Sequence, residues 1–90
     1  MTIVINSAFG GYRVPEEVAT ALNCWQYEDS AEVRTAPEFI AWVENHPEST
    51  LTVVEIPEDA TDWEINEYDG LESITAVVGG RLVHISGREW

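Results

Sequence analysis

The sequence predicts a single small α+β domain over residues 1–90, with a largely antiparallel sheet of about five strands and two helices packed on one face. The length of 90 residues leaves room for one domain only. The apolar residues follow a helical period in the first half of the chain and a strand-like alternation from residue 51 onward. Because the strands follow the helices in a run, the order favours an antiparallel sheet with helices on one side.

The chain opens with a short strand and a first helix. Residues 2–6 are β-branched and form a strand, which stops before Phe9-Gly10-Gly11-Tyr12, where two glycines permit a tight loop. Pro15 with the acids that follow it is typical of a helix start, because negative charge is favoured at the positive end of the helix dipole. The predicted apolar face of this helix is Val18, Ala21 and Leu22.

A second helix follows an irregular, acidic connection at residues 24–33. The pattern Thr35-Ala36-Pro37-Glu38 predicts a capping box, in which the threonine and glutamate side chains bond the first backbone N–H groups. Phe39 and Val43 lie four residues apart on one face, so we expect them in the core, and Asn45-His46-Pro47 ends the helix.

Four strands complete the predicted domain, at residues 51–56, 62–68, 74–78 and 81–86. The last two meet across Gly79-Gly80, which fits a two-residue hairpin turn. This turn fixes a register that pairs Val78 with Arg81, Val77 with Leu82, Ala76 with Val83, Thr75 with His84, and Ile74 with Ile85.

The composition is strongly acidic, with 17 Asp and Glu against 4 Arg, no Lys and a net charge of -13. Clustered cations, which bind phosphates and anionic lipid surfaces, are lacking, so direct binding to nucleic acid or membrane is not expected. The single cysteine, Cys24, cannot form an intramolecular disulfide, which suits a reducing cytoplasm. The first residues do not resemble a signal peptide, and we expect a soluble, intracellular protein.

The charge concentrates in residues 55–72, here called the acidic segment, which hold eight acids and no basic residue. Within it, Asp62 and Glu64 alternate with Trp63 and Ile65, so we expect the acids on one face of a strand and the apolar pair in the core. Two residues along a strand advance about 6.7 Å, a spacing comparable with that of neighbouring phosphates on a nucleic-acid strand. The segment therefore favours a surface that mimics DNA, although acids can also serve only to keep a small domain soluble.

No catalytic residue, metal ligand or cofactor is expected. His46 and His84 lie far apart without further ligands at metal-binding spacing, and the acids do not follow the pattern of a calcium loop. A chain of 90 residues also provides little room for a substrate cleft. The sequence therefore indicates a protein that is not an enzyme.

Several short motifs resemble a family of small phage and prophage proteins. They are Ile5-Asn6, Phe9-Gly10-Gly11-Tyr12, Val54-Glu55-Ile56-Pro57, Trp63-Glu64-Ile65, Glu67-Tyr68-Asp69-Gly70-Leu71-Glu72 and the ending Arg88-Glu89-Trp90. The resemblance implies a phage setting and the cytoplasm of a host cell, but no particular activity. A compact acidic phage protein is also similar in type to the anti-CRISPR inhibitors, several of which occupy the nucleic-acid channel of a Cas protein.

The first hypothesis is a non-enzymatic inhibitor that binds a basic, nucleic-acid-binding host protein such as a Cas effector or surveillance complex. The candidate partner-binding residues are Glu55, Glu58, Asp59, Asp62, Glu64, Glu67, Tyr68, Asp69 and Glu72. Tyr68 or Trp25 would supply an aromatic rim. One alternative is an accessory or structural phage protein that self-associates through the edge of its first or last strand, so monomer and homodimer both stay open. Another is an enzyme or ligand binder that uses carboxylates in the region of the Gly10-Gly11 loop, which would require a pocket for a small molecule.

Overall fold

The computed structural model describes residues 1–86, which form five strands and three helices and confirm the α+β class. In chain order the elements are β1 (Thr2–Asn6), α1 (Glu16–Leu22), α2 (Ala31–Arg34), α3 (Pro37–Glu44), β2 (Leu51–Glu55), β3 (Ala60–Tyr68), β4 (Leu71–Val78) and β5 (Arg81–Ser86). The motif Arg88-Glu89-Trp90 lies outside the described residues.

The strands form two antiparallel sheets, so the expectation of one five-stranded sheet is wrong. β1 pairs with β2, from Thr2 opposite Glu55 to Asn6 opposite Leu51. The second sheet contains β3, β4 and β5 in that order, which leaves β3 and β5 at its two edges. The helices pack on one face of the two-stranded sheet and the three-stranded sheet packs on the other, which gives three layers.

The two-stranded sheet lies in the middle because β1 is apolar on both faces. Ile3, Val4 and Ile5 are consecutive and all fully buried. Val4 packs in the helix-side core with Phe39, whereas Ile3 and Ile5 pack in the core against the second sheet. A strand buried on both faces has a continuous apolar run instead of an alternating one. One sheet covered by helices on a single face would leave half of this run exposed.

The connection expected at residues 24–33 contains the start of an additional helix, so the chain has three helices in its described part where two were predicted. The hydroxyl oxygen of Ser30 accepts a hydrogen bond of 3.3 Å from the backbone N–H of Val33 and caps α2. Serine in this position satisfies one of the N–H groups that a helix start leaves unpaired.

The predicted capping box is also wrong, because Thr35 ends α2 instead of starting α3. Its hydroxyl donates a hydrogen bond of 2.7 Å to the carbonyl oxygen of Ala31, one turn back. α3 begins at Pro37 with Ala36 before it, and no side chain caps it. Phe39 and Val43 are buried as expected.

The apolar face of α1 differs from the predicted one. The buried residues of this helix are Val18 and Ala19, whereas Ala21 is exposed, so its predicted place in the apolar face is wrong.

The β4–β5 hairpin has the predicted register, from Val78 opposite Arg81 to Ile74 opposite Ile85. The register predicted from the two-glycine turn is therefore confirmed.

Candidate functional site

The central part of the acidic segment lies on β3, an edge strand of the three-stranded sheet. Trp63 lies opposite Ala76 and Ile65 opposite Ile74, and both pack against the core between the sheets. Because side chains alternate along a strand, Asp62 and Glu64 lie on the outer face of the sheet. Both are exposed, as predicted for the acidic face.

The segment continues beyond β3 at its N-terminal end. Glu58 and Asp59 are exposed in the connection from β2, and Glu55 is exposed at the end of β2. The hydroxyl of Thr2 donates a hydrogen bond to Glu55 and holds the pKa of this carboxyl below its ordinary value, and the N-terminal ammonium 3.5 Å away acts in the same direction. Glu55 therefore stays ionised further into the acid range than a free glutamate.

At the other end, β3 runs into a two-residue turn at Asp69 and Gly70. Both have positive φ, 53° and 88°, as this kind of hairpin turn requires. The carboxylate of Glu67 accepts a hydrogen bond of 2.7 Å from the backbone N–H of Gly70. Glu67 and Asp69 are exposed, and Tyr68 is 76% exposed, so these three candidate residues lie on the surface.

Glu72 is the exception among the candidate residues, because it is buried and cannot contribute to a binding surface. Its side chain is 6% exposed, and both carboxylate oxygens accept hydrogen bonds from the guanidinium of Arg34, at 2.9 and 2.7 Å. The alternation of β4 contains the signal, since Glu72 has the same parity as the buried Ile74 and Ala76. Glu72 is therefore a structural residue.

The Arg34–Glu72 pair closes the free edge of β1. The guanidinium of Arg34 donates to the carbonyl oxygen of Val4 at 3.1 Å, and Glu72 accepts from the backbone N–H of Asn6 at 2.7 Å. A neighbouring strand would satisfy backbone groups in the same way. Buried charges are tolerated when they are paired and fully hydrogen-bonded, and this pair also removes an edge that could bind another chain.

Tyr12 covers the buried arginine. The centre of its ring lies 3.9 Å from the guanidinium carbon of Arg34, a cation–π contact, and its hydroxyl donates to the carbonyl oxygen of Glu28 at 2.9 Å. Burial raises the pKa of the Tyr12 hydroxyl well above its ordinary value, with Arg34 acting against the shift. Tyr12 therefore stays neutral and keeps its hydrogen bond at physiological pH.

The glycine loop of residues 9–11 packs on the β3–β4 turn. The side-chain amide of Asn6 donates to the carbonyl oxygen of Gly70 at 2.6 Å. A Cβ atom on Gly70 would lie 2.7 Å from the Cα of Gly11, so only glycine fits at this contact. Phe9 contacts Tyr68 edge to face, with ring centres 6.5 Å apart. The motifs around Asn6, Gly10 and Gly70 therefore meet in space, which sequence reasoning did not predict.

Exposed aromatic residues form a second feature of the surface, and the sequence analysis named Trp25 and Tyr68 among them but not Phe9 or Tyr27. Phe9 is 56% exposed, and in the loop after α1 Trp25 and Tyr27 are 69% and 52% exposed and contact each other edge to face. Trp25 thus lies on the surface, beside Tyr27. Isolated exposed apolar residues are ordinary, whereas contacting pairs offer larger surfaces to a partner.

Within residues 1–86, no group of three or more His, Cys, Asp or Glu side chains is arranged to hold a metal ion. His46 lies just after α3, with its ring stacked on Trp42 at 3.9 Å between ring centres.

No helix within residues 1–86 has the length and apolar character that a membrane-spanning segment requires.

The fold and the site define a small, acidic, three-layered α+β domain with an acidic edge strand and a buried arginine–glutamate pair. Comparison of the chain with family models, curated proteins and solved structures gives no match.

Proposed function

We propose that this protein is a phage-encoded inhibitor of a host defence system, of the anti-CRISPR type. It binds a basic, nucleic-acid-binding surface of a host protein through the acidic segment and blocks access of DNA to that surface. It acts by occupation, without catalysis or a cofactor, in the cytoplasm of the host cell.

The observation that supports this proposal is that β3 holds the backbone of Asp62 and Glu64 in place. Asp62 lies opposite Val77 and Glu64 opposite Thr75, in the part of the ladder that follows a register shift between Ala60 and Asp62. A backbone that is ordered before binding loses little conformational freedom when a partner binds. Basic channels that hold guide or target nucleic acid are complementary to such a row.

The distribution of positive charge is consistent with this proposal. Arg34 is buried against Glu72, so it does not offset the surface charge of the acidic segment. Arg13 and Arg81 are exposed, and both lie outside the segment. Like charges at this density repel one another in the free protein, and a basic partner relieves that repulsion.

Reversal of two charges tests the proposal. In Asp62→Lys/Glu64→Lys the row would repel a basic surface, and we expect the concentration for half-inhibition to rise by about tenfold or more. The measurement is target-DNA binding by purified Cas effector or surveillance complexes, at 0.05 and 0.3 M salt. Inhibition by the unaltered protein should weaken at the higher salt, because screening shortens the range of charge interactions.

The matched control is Glu44→Lys/Glu48→Lys, which changes the net charge equally at two exposed positions, the last residue of α3 and the loop that follows it. It should inhibit as well as the unaltered protein. If the Asp62/Glu64 variant keeps its fold and still inhibits at the original concentration, the proposal that the acidic segment mimics DNA is wrong.

A second candidate function, self-association as a phage accessory protein, is supported by β5. This strand is at the edge of its sheet, and its Leu82 is 76% exposed. Edge strands with exposed apolar residues favour pairing with another copy. The alternative edge, β1, is closed by Arg34 and Glu72, so β5 is the candidate for pairing. The oligomeric state separates the two functions.

A further inference from the structure

An open cleft lies where the glycine loop meets the β3–β4 turn. It is lined by Phe9, Gly10, Gly11, Glu67, Asp69 and Gly70, and is here called the aromatic cleft. Tyr68 borders it through its contact with Phe9. The cleft therefore combines two exposed aromatic rings, two exposed carboxylates and bare backbone.

The aromatic rings are held in place but remain accessible. Phe9 and Tyr68 touch edge to face at 70° between ring planes, yet more than half of each side chain is exposed. The apolar surface that the two rings expose to water is unfavourable for the isolated protein. A partner that covers the rings would remove this surface from water, which favours binding.

The backbone keeps the cleft open. Gly10 and Gly11 have φ values of 116° and 97°, which residues other than glycine rarely adopt. Among residues 1–86, no atom beyond the adjacent residues lies within 4 Å of the position that a Cβ atom would take on either glycine. Glycine therefore lets the loop adopt this conformation while it leaves the space above the backbone unfilled.

We propose that the aromatic cleft is the docking point for an arginine side chain of the basic partner. This inference rests on the proposed function for the sign of the partner's charge and adds the chemistry of the group that is recognised. A guanidinium is flat, so it can stack on the ring of Phe9 or Tyr68 while its N–H groups reach the carboxylates of Glu67 or Asp69. A lysine ammonium lacks this flat surface and is more strongly hydrated.

The interior of the same protein shows an arginine held by the same two kinds of group. Arg34 stacks on Tyr12 at 3.9 Å and is bound by both carboxylate oxygens of Glu72. The aromatic cleft presents a tyrosine, a phenylalanine and carboxylates at the surface. Its charge excludes an anionic ligand, since no basic residue lies among the residues that line it.

Two peptides of equal charge, nona-arginine and nona-lysine, test the inference with the intact protein. Binding is followed by NMR of the ¹⁵N-labelled chain, with the amides of Gly10, Gly11 and Gly70 as reporters. We expect the arginine peptide to bind about two- to fivefold more tightly than the lysine peptide, the gain of a solvent-exposed cation–π contact. Tyr68→Ala removes one of the two rings, so it should reduce that preference and leave the binding of nona-lysine unchanged.

The matched control is Trp25→Ala, which removes an exposed aromatic side chain from the other contacting pair and should keep the preference. The inference that the aromatic cleft binds arginine is wrong if both peptides bind with equal affinity, or if Trp25→Ala loses as much of the preference as Tyr68→Ala does. If the two peptides bind equally and the chemical-shift changes lie along β3, this inference fails while the proposed function stands. If neither peptide binds at low salt, both the proposed function and this inference fail.

Discussion

At the residue scale, Arg34 and Glu72 form a buried ion pair at the edge of β1. Their side chains are 2% and 6% exposed, and they bond each other as well as the backbone of β1. The sequence predicted a surface role for Glu72 because seven other acids precede it within the acidic segment. Its position on the inner face of β4 decides otherwise, since a strand directs alternate side chains to opposite faces.

Replacing either partner should be costly. Glu72→Ala would leave the guanidinium of Arg34 buried without a counter-charge, and we expect the free energy of unfolding to fall by about 3–5 kcal/mol. Glu72→Gln keeps an oxygen that can accept from the N–H of Asn6, so it should lose less and remain folded. Denaturant unfolding at neutral pH measures both.

Glu64→Gln provides the control, because Glu64 is exposed on the neighbouring strand. Its effect should stay within about 0.5 kcal/mol. Equal stability of Glu72→Gln and Glu64→Gln would contradict the structural role of the buried pair.

At the element scale, the connection between β3 and β4 positions the proposed binding surface. The turn at Asp69 and Gly70 ends the acidic strand, and the glycine loop packs directly on it. Asn6 joins the two through its hydrogen bond to Gly70. The turn therefore serves two purposes, since it sets the register of β3 and shapes the aromatic cleft.

Gly70→Ala tests this contact. The new Cβ would meet the backbone of Gly11 and would also be strained at a φ of 88°. We expect a loss of about 2–4 kcal/mol in the free energy of unfolding, from backbone strain and overpacking together. Thermal or denaturant unfolding gives the value.

Gly80→Ala isolates the strain, because Gly80 has a φ of 78° with no atom within 4 Å of the added Cβ. It should cost about 1 kcal/mol. If both alanine variants lose the same amount, the packing of the loop on the turn contributes nothing to stability.

At the scale of the whole molecule, the net charge of -13 opposes association between copies. The two free edges of the three-stranded sheet differ in this respect. β3 carries Asp62 and Glu64, and charged side chains on an edge strand discourage pairing. β5 carries the exposed Leu82 instead, and this edge is where the two candidate functions differ.

Sedimentation distinguishes these functions. An inhibitor of the proposed kind should sediment as a monomer of 10.1 kDa at 0.05 M salt, and remain so at 0.3 M, where repulsion is screened. A dimer at 0.3 M salt that Leu82→Lys abolishes would instead support self-association through β5. Asp62→Lys provides the comparison on the other edge of the sheet.

Local patterns in the sequence were enough to predict the α+β class, the hairpin register across Gly79-Gly80, and the division of β3 into an acidic and an apolar face. These features depend on residues close together in the chain, where periodicity and turn chemistry act directly. The surface positions of Asp62 and Glu64 followed from the same alternation.

Long-range packing sets the number of sheets, the buried position of Glu72, and the contact between Phe9 in the glycine loop and Tyr68 at the end of β3. The apolar run of β1 requires cover on both faces, but it does not say which elements supply it. Arg34 and Glu72 are 38 residues apart, and no local pattern shows that two opposite charges at this separation will be buried together. Long-range packing creates both the buried pair and the aromatic cleft, so neither could be read from neighbouring residues.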